Sequence, residues 1–277
     1  MSYVDRYPVQ ADEINVQHYP ATENNASQRL FVLIHGFMSS AYSYQALIPE
    51  LRFYGQVVTF DLPGFGRSKK TLRYRYSYAQ YAKTVHAILQ PYVSEKTEVI
   101  PVGHSMGGQI ALRLPKIMPR PPKKIVLLGS SGGIARLPYW VRAATYLPFF
   151  STWLRRYIRK HDVRNILHEV IYDASIITNE HVYAYEKPLQ EKAMYQSLTK
   201  FIRHREGDLT KTELADIHVP ILLLWGEADR VVPLNVGEKL VRALPSATIL
   251  TYPEIGHLLP EEMPKETAKA IQSFTEA

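Results

Sequence analysis

A serine set between two glycines is the strongest chemical signal in this chain. Residues 103–107 read Gly-His-Ser-Met-Gly, follow the apolar run 99–102 and precede a helix-patterned segment that starts at Gly108. In a sharp strand-to-helix turn a serine has a strained backbone, and its hydroxyl is presented at the end of a sheet. The pattern therefore predicts that Ser105 is a nucleophile.

Two later residues supply the partners that such a serine needs. Hydrolysis of an ester or amide requires a base to take the serine proton and a carboxylate to orient that base. His257 follows the last apolar run and is the predicted base, while Asp229 follows the preceding run and is the predicted acid. Glu227 is a rival acid, and Asp229 is preferred because it lies further into the loop.

The remaining requirement is a pair of backbone N–H groups for the oxyanion. One should belong to the residue after the nucleophile, Met106, and the other to the loop after the first core strand, where Phe37 is the expected donor. His35 is expected to brace that loop rather than act as a base. His104 is expected to pack behind the serine turn.

Apolar runs alternate with helix-patterned segments along the chain and predict the elements that position these residues. The predicted strands cover residues 30–34, 56–60, 98–102, 124–128, 220–225 and 247–252. The predicted helices cover residues 42–53, 78–93, 108–117, 234–243 and 264–274. This alternation predicts an α/β fold with a doubly wound, mostly parallel sheet, whose chemistry lies at the carboxyl ends of the strands.

One interval is too long to be an ordinary crossover. Residues 134–208 separate two predicted strands and are rich in aromatic residues, whereas connecting loops usually have ~2–6 residues. We interpret this interval as a helical cap (lid) inserted into a core made of residues 1–133 and 209–277. A cap excludes water and shapes a pocket. The predicted pocket candidates are Trp140, Phe149, Phe150 and Trp153.

Composition narrows the function classes. The 277 residues include no cysteine, which excludes disulfides and thiolate metal sites, and no apolar run approaches the ~20 residues that span a bilayer. The net charge is +7, but no nucleic-acid module pattern accompanies it, so no nucleic-acid partner is expected. We expect a cytoplasmic protein.

For the basic, aromatic segment 146–164, a solvated cap face is the preferred interpretation, and weak contact with an anionic membrane surface is the alternative.

These motifs together resemble the α/β-hydrolase superfamily, and most closely its capped bacterial serine esterases. The resemblance rests on residues 35–36, 61–68, 103–108, 225–229 and 256–257, and on the chain order Ser, Asp, His. The loop 61–68 is expected to be structural, with Asp61 accepting N–H bonds. Pro101 in a central strand and Pro115 in the following helix depart from regular structure.

The resemblance implies a carboxylesterase that acts on esters with an apolar acyl group through an acyl-enzyme on Ser105. Such a reaction uses no metal and no organic cofactor, and its partner is a small ester. Carbon–carbon bond hydrolysis of dienone ring-fission products is the alternative enzyme class, although that family usually has Asn where this chain has His104. A non-catalytic ligand receptor on the same fold is the alternative of another class.

Overall fold

A seven-stranded sheet forms the centre of the molecule in the computed structural model, which describes residues 13–22 and 28–277. The strand order is β1-β3-β2-β4-β5-β6-β7 in the following numbering. The strands are β1 (Val16–Tyr19), β2 (Arg29–Ile34), β3 (Gln56–Phe60), β4 (Glu98–His104), β5 (Ile125–Leu128), β6 (Ile221–Gly226) and β7 (Ala247–Tyr252). All neighbouring pairs are parallel except β1 and β3, which are antiparallel. The predicted fold class is therefore confirmed.

The edge strand β1 has no counterpart among the strands predicted from the sequence. Its residues Val-Gln-His-Tyr place two polar residues between two apolar ones, and none of the four is fully buried. An edge strand pairs on one side only and does not need the continuous apolar run of a strand that is covered on both faces. Prediction of strands from apolar runs therefore did not identify β1.

Twelve α-helices accompany the described strands. They are α1 (Leu47–Leu51), α2 (Tyr78–Leu89), α3 (Met106–Ala111), α4 (Tyr139–Ala144), α5 (Phe150–Ile158), α6 (Val163–Val170), α7 (Asn179–Leu189), α8 (Lys192–His204), α9 (Lys211–Ala215), α10 (Leu234–Ala243), α11 (Leu259–Glu262) and α12 (Pro264–Glu276). Throughout the described part, none combines the length and the apolar character that crossing a membrane requires.

Helices cover both faces of the sheet. On one face, α2, α3 and α10 bury Tyr81, Ile110 and Leu240 in the larger core cluster. On the other face, α1 and α12 bury side chains such as Leu51 and Ile271 in a second cluster. This layering buries the central strands on both sides and explains their apolar composition.

The helices predicted over 42–53 and 108–117 differ most from the structure, while the helix predicted over 78–93 ends at Leu89 and is followed by a 3-10 turn (Gln90–Tyr92). The segment predicted over residues 42–53 is divided into a 3-10 turn (Ala41–Tyr44) and α1. The segment predicted over 108–117 begins earlier, at Met106, and ends at Ala111, while Pro115 lies in a separate 3-10 turn. Proline lacks the N–H that a continuing helix would need, and α3 ends before Pro115.

Pro101 lies inside β4 without interrupting it. The residue pairs with Val32 of β2, and the strand continues to His104. On the other side, regular pairing with β5 begins only at Val102, opposite Val126. The proline therefore precedes the part of β4 that has ladders on both sides, where a missing N–H would be most disruptive.

The chain between β5 and β6 leaves the sheet and forms α4 to α9. Within this segment, Ile134 and Asp208 are hydrogen-bonded to each other. The N–H of Asp208 donates to the carbonyl of Ile134 (2.8 Å), and the N–H of Ile134 donates to the Asp208 carboxylate (3.1 Å). The cap predicted from the sequence begins and ends with these two residues. The division itself stays a prediction, and residues 1–12 and 23–27 of the predicted core lie outside the described residues.

Candidate active site

Ser105 occupies a strained turn between β4 and α3. Its φ is 51° and its ψ is −117°, a combination that L-residues with a side chain rarely adopt. Its N–H donates to the carbonyl of Leu128 (3.0 Å), and its carbonyl accepts from the N–H of Ser131 (3.1 Å). The end of β5 thus holds the backbone of Ser105 from both sides, which is how the surrounding structure maintains an unfavourable conformation.

The flanking glycines are required by close backbone packing. A Cβ on Gly107 would lie 2.0 Å from the carbonyl oxygen of Ile34, and one on Gly103 would lie 2.5 Å from the carbonyl oxygen of Gly107. A Cβ on Gly36 would lie 3.1 Å from the Cβ of Ser105. The serine turn is therefore in direct contact with the end of β2 and with the loop that follows it.

His257 and Asp229 form a buried hydrogen-bonded pair. Nδ1 of His257 donates to Oδ2 of Asp229 at 2.7 Å, and both residues are 5% exposed. Oδ1 of Asp229 accepts from the N–H groups of Val231 and Val232, each at 2.8 Å. With both oxygens occupied, the carboxylate fixes the imidazole so that its Nε2 is the free nitrogen.

The rival acid Glu227 lies elsewhere. Its side chain is exposed and accepts a hydrogen bond of 2.8 Å from the Thr251 hydroxyl. Of the two acids, the structure therefore joins Asp229 to His257.

The pair lies beside the serine turn. A Cβ on Gly129, the residue after β5, would be 3.2 Å from both Oδ2 of Asp229 and Nδ1 of His257. His104, the neighbour of Ser105, lies with its ring centroid 4.7 Å from that of His257. The carboxyl ends of β4, β5, β6 and β7 therefore bring together the three residues predicted from the sequence.

His104 is a neutral histidine packed against His257. Burial first, and then the neighbouring His257, lowers the pKa of His104 to about 3. Its Nε2 donates to the carbonyl of His257 at 2.8 Å. Its Nδ1 is buried and has no hydrogen-bond partner among the described residues. The ring therefore supports the backbone of His257 without adding a competing positive charge.

The loop after β2 carries Phe37 and adjoins the serine turn through Gly36, whose added Cβ would lie 3.1 Å from that of Ser105. His35 braces this loop: its Nε2 accepts from the N–H of Leu62 (2.9 Å), and its Nδ1 donates to the carbonyl of Gly36 (2.7 Å). Burial lowers the pKa of His35, so this fully buried ring is neutral. The prediction that His35 supports the loop is confirmed.

Asp61 anchors the neighbouring loop. Its carboxylate accepts hydrogen bonds of 2.7 Å from the N–H groups of Ala41 and Arg67. It also accepts from the side-chain amide of Asn15 at 2.9 Å. These bonds confirm the predicted structural role of the segment 61–68.

Two contacts between the inserted helices and the site were not predicted from the sequence. The ring of Phe201 in α8 stacks on that of Phe37, with 5.4 Å between centroids. The carbonyl of Val170, at the end of α6, accepts a hydrogen bond of 2.7 Å from the N–H of His257. Apolar spacing of Met194, Leu198 and Phe201 marks a buried helix face, but it does not identify what that face touches.

The predicted pocket aromatics lie on α4, α5 and the turn between them. Trp140, Phe149 and Trp153 are 73%, 80% and 57% exposed, respectively. Phe150 is partly buried against the larger core cluster. Their contact with a substrate stays a prediction. Among the described residues, no group of three or more His, Asp or Glu side chains is arranged to hold a metal ion.

Comparison with known proteins matches residues 31–270 to the model of the alpha/beta hydrolase family. The chain is 37% identical over 274 residues to an uncharacterized hydrolase, YugF, of Bacillus subtilis, covering 99% of this chain and 98% of that protein. It is 25% identical to lipase 3 of a Moraxella species, covering 92% and 79%. A meta-cleavage product hydrolase from Pseudomonas fluorescens has a similar fold, with a TM-score of 0.75 and 19% identity over 95% and 94% of the two chains.

Proposed function

This chain belongs to the alpha/beta hydrolase family and is a hydrolase, and we propose that it is a serine carboxylesterase acting on esters with an apolar acyl group. One observation carries the proposal: a buried His257–Asp229 pair lies beside a serine in a strained strand-to-helix turn. A strained serine next to an oriented imidazole is the arrangement that activates a hydroxyl for attack on a carbonyl.

In the proposed reaction, Oγ of Ser105 attacks the ester carbonyl carbon while Nε2 of His257 takes the hydroxyl proton. The imidazolium that forms is stabilised by Asp229, whose Oδ2 lies 2.7 Å from Nδ1. The carbonyl oxygen becomes an oxyanion and accepts hydrogen bonds from the N–H groups of Met106 and Phe37. The tetrahedral intermediate then collapses, and His257 returns the proton to the departing alcohol.

The acyl-enzyme is released by water. Nε2 of His257 takes a proton from a water molecule, whose oxygen attacks the acyl carbon, and the same nitrogen then returns the proton to Oγ of Ser105. The products are the carboxylic acid and the alcohol, and the enzyme is regenerated. Every proton transfer uses one histidine nitrogen.

The preference for an apolar acyl group rests on the surroundings of the donor loop. Phe37 packs edge-on against Phe65, with 6.0 Å between centroids, and stacks on Phe201. Apolar walls with a few fixed polar groups are typical of small-molecule sites. We propose that residues 134–208 act as the cap over this site and that Trp140, Phe149, Phe150 and Trp153 contribute to the pocket.

A series of p-nitrophenyl esters of increasing acyl length tests the proposal, together with a fluorophosphonate probe that labels activated serines. The wild-type protein should hydrolyse the esters and be labelled at Ser105, whereas Ser105→Ala should do neither while remaining folded. Ester hydrolysis that survives in Ser105→Ala would refute the mechanism.

The same series separates the two alternatives. Turnover of a dienone ring-fission product in preference to every ester would favour carbon–carbon bond hydrolysis. Failure of the probe to label the folded wild-type protein would favour a non-catalytic ligand receptor.

A further inference from the structure

A cavity of about 840 Å³ lies between the inserted helices and the loop before α2. Helices α4 and α8 and residues 72–75 form most of its wall. The wall includes five arginines, one lysine and one histidine, and no acidic residue lines it. We call it the cationic cavity, and its basic residues are Arg73, Arg75, Arg136, Arg142, Arg203, Lys200 and His204.

The charge of the cationic cavity is not neutralised by the described protein. None of its basic residues lies within ion-pair distance of a carboxylate among residues 13–22 and 28–277. Arg203 donates instead to the hydroxyl and the carbonyl of Thr145, at 2.9 and 2.6 Å, and Lys200 donates to the carbonyl of Leu72. Because these partners are neutral, the positive charges repel one another at close range.

The titration of two wall residues reflects this environment. Burial first, and then Lys200, Arg203 and Arg75, lowers the pKa of His204 to about 4. Burial and then Arg203 also lower the pKa of Lys200. Opposite charge brought into the cavity would relieve this repulsion.

Two buried polar atoms on the wall lack partners. Nδ1 of His204 and Nε of Arg142 are buried, and neither has a hydrogen-bond partner among the described residues. Buried polar groups are normally satisfied, so the wall holds two polar atoms whose hydrogen bonding the described residues do not complete.

We propose that the cationic cavity is a binding site for a phosphate-bearing ligand, separate from the serine site. Arginine forks match the oxygen geometry of phosphate, and a multiply charged anion offsets several guanidinium groups at once. Tyr139, Tyr146 and Leu72 also line the cavity and provide surface for an apolar portion of the ligand. The phosphate belongs either to a soluble ester or to the head group of an anionic lipid.

The site adjoins the proposed ester site through one helix. Phe201 follows Lys200 in α8 and stacks on Phe37, so α8 borders both regions. The inference does not depend on ester hydrolysis, and its test measures binding alone.

Two binding measurements on the full chain distinguish the sources of phosphate. Isothermal titration calorimetry with inorganic phosphate and glycerol 3-phosphate, against potassium chloride at equal ionic strength, tests the soluble source. Co-sedimentation with phosphatidylcholine vesicles, with and without phosphatidic acid, tests the lipid source. The proposal expects specific binding in at least one of these measurements.

The double variant Arg75→Gln/Arg136→Gln removes two exposed cavity charges at little risk to folding. It should weaken that binding by about tenfold or more, since each lost charge-assisted hydrogen bond is costly. The control Lys239→Gln/Lys265→Gln removes two exposed charges from α10 and α12, outside the cavity and outside residues 146–164, and should retain binding. No binding from either source, unchanged binding in the cavity variant, or equal losses in both variants would overturn the proposal.

Discussion

Nδ1 of His257 donates a hydrogen bond of 2.7 Å to Oδ2 of Asp229, although 28 positions separate the two residues in the chain. The bond joins the loops that follow β6 and β7. Two backbone N–H groups, from Val231 and Val232, hold the other carboxylate oxygen. The carboxylate thereby sets which imidazole nitrogen carries the proton and which one faces the substrate.

Asp229→Asn should remove most of the activity while leaving the fold intact. An amide placed at the same position can donate to Nδ1 of His257, which leaves the proton on Nε2, where a base must have a lone pair. The expected loss in kcat is about 10⁴-fold, the size found when such an acid is replaced by its amide. Steady-state hydrolysis of a p-nitrophenyl ester measures the loss, and circular dichroism checks the fold.

Glu227→Gln is the matched control for that variant. Glu227 is exposed and bonded to Thr251, so its replacement should change kcat by less than about twofold. If Glu227→Gln lost as much activity as Asp229→Asn, the assignment of the acid would be wrong.

Gly107→Ala should destabilise the protein by clash. The added Cβ would lie 2.0 Å from the carbonyl oxygen of Ile34, which is backbone inside the sheet and cannot move aside cheaply. We expect a loss of about 3 kcal/mol in the free energy of unfolding. Urea denaturation, read as a lower midpoint at constant slope, measures it.

Gly133→Ala separates the clash from backbone strain. Gly133 has a φ of 76°, and a Cβ there would have no described heavy atom within 4 Å. Its substitution should therefore cost only the left-handed strain, about 1 kcal/mol. Equal losses in the two variants would show that crowding at the serine turn is unimportant.

Much of the sheet could be predicted because buried parallel strands carry a local signature. The apolar runs at residues 30–34 and 56–60 match β2 and β3, whose residues are almost all buried, and each run ends where polar loop residues begin. The same signature placed Ser105, Asp229 and His257 at strand ends. The strand β1 lacked it because an exposed edge tolerates polar residues such as Gln17.

The contacts between inserted helices and core could not be predicted in this way. The stacking of Phe201 on Phe37 and the hydrogen bond from His257 to Val170 join segments that are distant in the chain. A periodic pattern tells which face of a helix is buried, but the partner of that face depends on how the whole insertion packs. The predicted pocket aromatics rest on residue type alone, and residue type does not determine where a side chain lies relative to the site.

Phe201→Leu should lower kcat through the position of the donor loop. Leucine keeps an apolar side chain in the buried site but removes the stacking that holds Phe37, whose N–H is a proposed oxyanion donor. Small displacements of a catalytic group are costly, and we expect a fall in kcat of about tenfold with a smaller change in KM. Steady-state kinetics on one ester measures both constants.

Phe274→Leu is the control, because Phe274 lies on α12 and packs against the second core cluster instead. It should retain the kcat of the wild-type protein. A wild-type kcat in Phe201→Leu would show that the ring does not position the loop.

His104 should contribute to the loss of stability in acid. Its pKa is lowered to about 3 by burial and by His257, whereas a histidine in the unfolded chain has a pKa of about 6.5. Between these values the unfolded chain binds a proton that the folded protein does not. Stability therefore falls as the pH drops through this window, by about 1.4 kcal/mol for each pH unit.

His104→Gln removes this titration while keeping a side-chain N–H that can reach the carbonyl of His257, which accepts from His104 at 2.8 Å. Urea denaturation of both proteins at about pH 8, where His104 is uncharged in the folded and in the unfolded wild-type chain, gives the cost of the altered packing. After that difference is subtracted, the variant should retain about 3 kcal/mol more stability than the wild-type protein at about pH 4. If the free energies of unfolding of the two proteins changed in parallel with pH, His104 would take up a proton as readily in the folded protein as in the unfolded chain. Its burial and its contact with His257 make that uptake unfavourable in the folded protein.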